Sequence, residues 1–205
     1  MSKEKVQMDP KYIIKLTVTL FLTCCVVAGA LGAINMVTEG PIADINKAKT
    51  EAAMKAVVAD PDGSTFSDAL EITADMAAAA ASAGGSVTEA YEVLVGGAPA
   101  GHALKIVASG SQGSIEMMVG LDASGTVTGV SVVKHSETAG IGTKVMGNEP
   151  NNDGVPVLDQ FIGKSAADGT LNVGSNVTAI TGATVSSKGV TTGVNAALAV
   201  AAVMG

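Results

Sequence analysis

An apolar run over residues 13–34, charged only at Lys15 near its edge, separates a polar lead from the rest of the chain. At about 1.5 Å per residue it makes roughly 33 Å of helix, enough to cross a hydrocarbon core of about 30 Å. The pattern then changes. Ile45, Ala48, Ala52, Ala56 and Ala59 recur at threes and fours, which predicts a further helix over residues 45–60. Asp60-Pro61-Asp62-Gly63 reads as a turn, because its Gly falls too early for a calcium loop. Residues 76–86 are Ala-rich and contain Gly84-Gly85, as in a short helix or a surface insertion.

From Val87 the period shortens to two. Residues 89–95, 102–108, 114–121 and 126–134 predict strands, with turns at Gly96-Gly97-Ala98-Pro99 and Asp122-Ala123-Ser124-Gly125. Ile115, Met117, Val119 and Leu121, together with Val130 and Val132, predict a sheet with one covered face. The final stretch, from Ser186 to about Met204, sets Val190, Val194, Ala197, Leu198 and Ala201 on one stripe, an amphipathic helix for that face. The whole predicts an α+β fold: one N-terminal transmembrane helix, then a single domain with a mainly antiparallel sheet flanked by helices.

The length of the apolar run favours a retained anchor over a cleaved signal, whose apolar core is about 7–15 residues. Ala28-Gly29-Ala30 is where a signal would be cut, and Thr23 before Cys24 is a poor lead for a lipoprotein. Lys3, Lys5 and Lys11 precede the run and Lys15 lies at its leading edge, whereas Lys47 and Lys49 follow it. That asymmetry predicts a single pass through the cell membrane with the N-terminus cytoplasmic. Residues 1–12 are then cytoplasmic, 13–37 cross the lipid bilayer, and 38–205 form an extracytoplasmic domain.

Charge narrows the partners. The chain has 205 residues and a net charge of −7, and it contains no Arg. Beyond residue 38, 17 acidic side chains face 8 lysines. Nucleic acid needs a basic footprint and is excluded as a partner. Cys24 and Cys25 both lie in the apolar run, and adjacent helical positions point about 100° apart, so they form no ordinary disulfide. They read as small packing residues, or as one thiolate each for an iron–sulfur site shared with partner helices. Without cysteines outside the run, any redox activity there needs a bound organic cofactor.

Two segments carry candidate chemistry. In Thr178-Ala179-Ile180-Thr181-Gly182-Ala183-Thr184-Val185-Ser186-Ser187-Lys188-Gly189, a hydroxyl-rich turn feeds the last helix. Ser186 or Ser187 is a good N-cap, and Gly182 permits an unusual backbone angle. Lys188 opposes the positive end of the helix dipole unless an anion sits there, and Gly189 clears room for a ligand. The other reading is an ordinary capped helix. In His135-Ser136-Glu137-Thr138-Ala139-Gly140-Ile141-Gly142-Thr143-Lys144, His135 and Glu137 are either an acid–base pair or solvated loop residues. Neither segment has the ligands for a metal site or a nucleophile–base pair.

Together these segments resemble the membrane FMN-binding subunits of Rnf and sodium-pumping quinone reductase complexes. The first loop is similar to the family's His-x-Glu-Thr-Pro-Gly-Leu-Gly, with Ala139 in place of Pro. Asp159-Gln160-Phe161-Ile162-Gly163-Lys164 is similar to its Gln-Phe-x-Gly-Lys, and Thr181-Gly182-Ala183-Thr184 to its flavin-attachment core. Thr178 stands where the flavin transferase's target usually has Asp.

The resemblance implies FMN held covalently through a phosphoester on Thr184. Thr181, Gly182, Ala183, Val185 and Ser186 would lie around the phosphate, and Glu137, Thr138, Gly140, Ile141 and Gly142 would border the flavin ring. An apolar ledge of Ile141, Val145 or Met146 would support that ring, Phe161 being one of few aromatics. The implied function is an electron-transfer subunit of a membrane ferredoxin:NAD+ oxidoreductase coupled to Na+ or H+ translocation. Its partners would be the other subunits of the complex and, during maturation, the flavin transferase. The short chain favours the G subunit of an Rnf complex. The alternatives are the C-type subunit of a sodium-translocating quinone reductase and a non-redox, membrane-anchored binding domain.

Overall fold

The computed structural model describes residues 10–204; residues 1–9, with Lys3 and Lys5 of the expected cytoplasmic lead, and Gly205 lie outside them. The chain divides into two compact units, Met1–Lys47 and Ala48–Gly205. Helix α1, Pro10–Ala56, is 47 residues long and is the one described helix long and apolar enough to cross a membrane. Residues 45–56, expected to form a separate helix, continue it. Pro41 lies inside α1 and gives it no N–H at that position.

Five strands follow in sequence order: β1 Ser64–Phe66, β2 Gly85–Val95, β3 Ala98–Ser109, β4 Ser114–Asp122 and β5 Val127–Lys134. They make one antiparallel sheet in the order β1-β2-β3-β4-β5. Every connection from β2 onward is a short hairpin. Gly96 and Gly97 both take positive φ, 60° and 84°, as the tightest hairpin turns require. At the β4–β5 turn the Asp122 carboxylate accepts from the N–H groups of Ser124 and Thr126, at 2.8 and 2.9 Å.

Helices α2, Ala74–Ser82, and α4, Thr184–Met204, pack on one face of the sheet, and a short α3, Gly142–Met146, lies between them in sequence. The Ala-rich stretch is thus a helix. Thr73 caps it by accepting from the Met76 N–H, and Met76 and Ala80, one turn apart, are buried. Val190, Val194, Ala197 and Leu198 of α4 meet Leu104, Ile106, Ile115, Met117 and Val119 in the main core. Phe161, one of the chain's few aromatics, is 1% exposed and belongs to this core.

The opposite face is covered too, against the expectation of one covered face. Ala53, Met54, Val57 and Val58, at the end of α1 and just after it, form a second cluster with Val93, Ala103, Met118 and Val133. Gly120 and Gly129 make this approach possible. A Cβ on Gly120 would lie 2.1 Å from the Val57 carbonyl oxygen, and one on Gly129 would lie 2.8 Å from the Val57 Cα. The Thr128 hydroxyl donates to that same carbonyl at 2.6 Å. A glycine in a strand gave no signal for this contact, because period-two counting treats it as neutral.

The packing predicts a test. Gly120→Ala must displace backbone, so it should destabilise the folded domain by about 1–3 kcal/mol, read as a lowered unfolding midpoint. Gly29→Ala, with nothing within 4 Å of the added methyl, should leave that midpoint unchanged.

Candidate functional site

Helix α4 begins at Thr184, two residues before the expected cap. The Ser187 N–H donates to the Ala183 carbonyl at 2.9 Å, opening the helical ladder, and the Ser187 hydroxyl bonds the same oxygen at 3.1 Å. Ser186 and Ser187 are therefore buried first-turn residues and neither is the N-cap. Immediately before the helix, Ile180 and Ala183 are buried, and Gly182 at φ 85° reverses the chain between them. This leaves Thr184 and Val185 exposed. Among the described residues, no acceptor takes the N–H groups of Gly182, Thr184 and Val185. Such a helix start favours an anion through its free donors and the helix dipole.

One negative group already stands beside it. Glu137, 7% exposed, reaches the first turn of α4, where its Oε2 accepts from the Ser186 hydroxyl. Its Oε1 accepts from the N–H groups of Ser111 and Gln112 at 2.8 and 3.1 Å. Burial alone raises the carboxyl's pKa, but the bonds from Ser186, Gln112 and Ser111, with His135 nearby, outweigh it. The net effect holds Glu137 below the ordinary carboxylate range, and therefore ionised. Glu137 is not half of an acid–base pair with His135. The His135 Nδ1 accepts from the Glu137 backbone N–H at 3.3 Å, and its ring is exposed.

The site residues converge on a cavity of about 160 Å³. It is lined by Ser111, Glu137, Thr138, Ile141 and Gly142 on one side, and by Gly182, Ala183, Thr184, Val185 and Ser186 on the other. Gly142 is required by closeness: a Cβ there would lie 2.5 Å from Glu137 Oε2 and 2.7 Å from Ser186 Oγ. Gly140, at φ 75°, turns the loop, and its N–H donates to Thr143 Oγ1 at 2.9 Å. Ile141 and Val185 are large apolar side chains left exposed at the cavity, 49% and 57%.

Several expectations change here. Gly189 clears no space for a ligand; its missing side chain lets α4 approach the sheet, where a Cβ would lie 2.6 Å from the Ser109 carbonyl. Val145 is fully buried in the core, and Met146 lines a different cavity of about 650 Å³ with Lys49, Lys134 and His135. Of the expected ledge, only Ile141 borders the Thr184 cavity. Thr181 is near but not in the lining, and both its donors go to Asn152 Oδ1, at 3.1 Å from N and 2.8 Å from Oγ1. Cys24 and Cys25 are free, in the first unit. Ser111, Gln112 and Asn152 carry no signal in the sequence, since a backbone donor in a hairpin turn and one Asn among several in a polar loop make no pattern.

Residues 110–199 match the model of the FMN-binding domain family, a span that contains the whole cavity lining. The chain is 35% identical over 213 residues to the G subunit of the Na+-translocating ferredoxin:NAD+ oxidoreductase complex of Acetobacterium woodii, covering 97% of this chain and 96% of that one. It is 29% identical over 193 residues to the G subunit of the ion-translocating oxidoreductase complex of Methanosarcina acetivorans, covering 93% and 95%. A 30% identical match to the corresponding protein of Vibrio atlanticus covers 53% of each chain.

Glu137→Ala leaves two backbone donors and a buried hydroxyl without their acceptor, which should cost about 2 kcal/mol or more. Because the folded carboxyl's pKa is lowered, its contribution is complete above the unfolded value, about 4.3, and is lost as pH falls through the folded value. Urea unfolding of wild type and Glu137→Ala should thus show a gap at pH 7 that narrows at acid pH.

Proposed function

Because the chain belongs to the family of G subunits of ion-translocating oxidoreductase complexes, we propose that it is the electron-carrying subunit of an Rnf-type ferredoxin:NAD+ oxidoreductase, with FMN esterified to Thr184. The coupled ion is Na+ or H+. The bound flavin supplies the means to take up and pass on electrons; the chain's own residues bind and orient it.

The observation that carries this reading is the cavity itself. It sets the exposed Thr184 hydroxyl among free N–H donors at a helix start, opposite the loop that the family resemblance singles out. At about 160 Å³ it is smaller than the roughly 300 Å³ of ordinary ligand pockets. It therefore suits the phosphate end of FMN, leaving the flavin ring to the exposed Ile141 and Val185. Gly182, Thr184 and Val185 would donate to the phosphate. Ser186, bonded to Glu137, would hold the helix start in place, and Thr138, Gly140 and Gly142 would shape the opposite wall.

A covalent bond is the natural way to keep a cofactor at so shallow a site. The exposed hydroxyl is within reach of an external flavin transferase, whereas a buried one would not be. We also place residues 1–12 in the cytoplasm, 13–37 in the bilayer and 38–205 outside, with the remaining subunits meeting the membrane span and the flavin face. The lysine asymmetry supports that orientation.

Produced with a flavin transferase, the chain should keep its flavin fluorescence on a denaturing gel, and Thr184→Ala should lose it without losing the fold. A colourless wild-type chain would count against the electron carrier. Fluorescence retained by Thr184→Ala would move the attachment to another residue.

A further inference from the structure

The acceptor segment is held by two side-chain amides that lie outside it. Gln160 pairs with Thr178 as a neighbouring strand would: its Oε1 accepts the Thr178 N–H at 2.8 Å, and its Nε2 donates to the Thr178 carbonyl at 3.1 Å. The same Nε2 donates to the Val157 carbonyl at 2.7 Å. Three residues on, Asn152 Oδ1 accepts both the N–H and the hydroxyl of Thr181. With Ile180 and Ala183 buried, the segment from 178 to 183 is fixed at alternate points on both sides, and Thr184 follows with its side chain free.

The support for Asn152 is itself ordered. Asn151, 8% exposed, folds its turn by accepting the N–H groups of Asp153 and Val155 on Oδ1, at 3.0 and 3.1 Å. Asn148 Oδ1 accepts the Leu158 N–H at 2.6 Å, which ties the far end of the loop to the core. At 178 it is the backbone that is gripped, so the clamp operates whatever side chain stands there.

Resting on attachment at Thr184, we propose that Asn152 and Gln160 are positioning residues for flavin transfer to this chain. Forming the ester needs a flavin whose phosphate is already activated, as in the pyrophosphate of a flavin dinucleotide. The Thr184 Oγ–P bond forms, the bridging P–O bond breaks, and the nucleotide half leaves. The hydroxyl proton passes to the transferase or solvent, and nothing is oxidised or reduced. A hydroxyl held at one place on the surface meets the donor's phosphorus with less ordering than one on a loose loop. The two amides provide that order.

Their chemistry predicts different tolerances. Asn152 uses only its oxygen, so Asn152→Asp keeps both bonds to Thr181, whereas Asn152→Ala keeps neither. Gln160 uses both ends of its amide, so Gln160→Glu loses two donor bonds and faces two carbonyls with a charge. The full chain in detergent, incubated with flavin transferase and FAD, is followed by the mass of the Thr184 peptide. Asn152→Ala and Gln160→Glu should be modified at least about tenfold more slowly than wild type, with Asn152→Asp within about threefold of it. Because Asn152 is exposed, Asn152→Ala should keep the wild-type unfolding midpoint while amide exchange over residues 181–184 rises. Wild-type rates in Asn152→Ala, or an equal loss in Asn152→Ala and Asn152→Asp, would overturn the proposal. If Gln160→Glu fails to fold, the Asn152 pair decides alone. A wild-type chain that takes up no flavin overturns the attachment at Thr184 and this proposal with it.

Discussion

The contact on which the site depends is the buried carboxylate of Glu137. It joins three pieces of chain that are distant in sequence: the β3–β4 turn through Ser111 and Gln112, its own loop after β5, and the first turn of α4 through Ser186. A charged acceptor with three donors is stable where an unpaired one would be expelled. It also lies at the positive end of a helix 21 residues long, which favours its ionised form. That side chain joins the two walls of the Thr184 cavity, the loop after β5 and the start of α4.

Close packing supplies the rest of the frame. The missing side chains of Gly189 and Gly193 bring α4 against the sheet near Ser109 and Met117, while Gly120 and Gly129 admit the chain around Val57 on the other face. The sheet is thus covered on both faces, and the loops at its end inherit that rigidity. Buried hydroxyls within α4 do not disturb it. Ser187 and Thr191 bond carbonyls one turn back, at 3.1 and 2.8 Å, so each is satisfied inside its own helix. The outcome is a firm scaffold with one exposed threonine at the start of its longest core helix.

Much of this was legible in the sequence. Period-two alternation located the four long strands, and the stripe from Val190 to Leu198 located α4, because burial on one face imposes those periods directly. Glu137, Thr138, Ile141 and Gly142 do meet residues 182–186 at one cavity, while Gly140 turns the loop without lining it. What local pattern could not supply was the purpose of single residues. Gly189 looked like room for a ligand and is room for a strand. Glu137 read as half of an acid–base pair or as a solvated loop residue and is a tie. Ser186 looked like a cap and is that tie's partner. Such roles depend on what tertiary folding brings alongside, and Asn152, which grips Thr181 from 29 positions away, left no trace in periodicity at all.

Under the proposed function, this scaffold presents one hydroxyl for modification and holds what is attached there. Mass analysis of the peptide containing Thr184, taken from the chain isolated from its own membrane, tests it most directly. Attachment predicts a gain of one FMN less one water, with fragmentation placing it on Thr184. An unmodified peptide, or the same gain carried by Thr181, would contradict it.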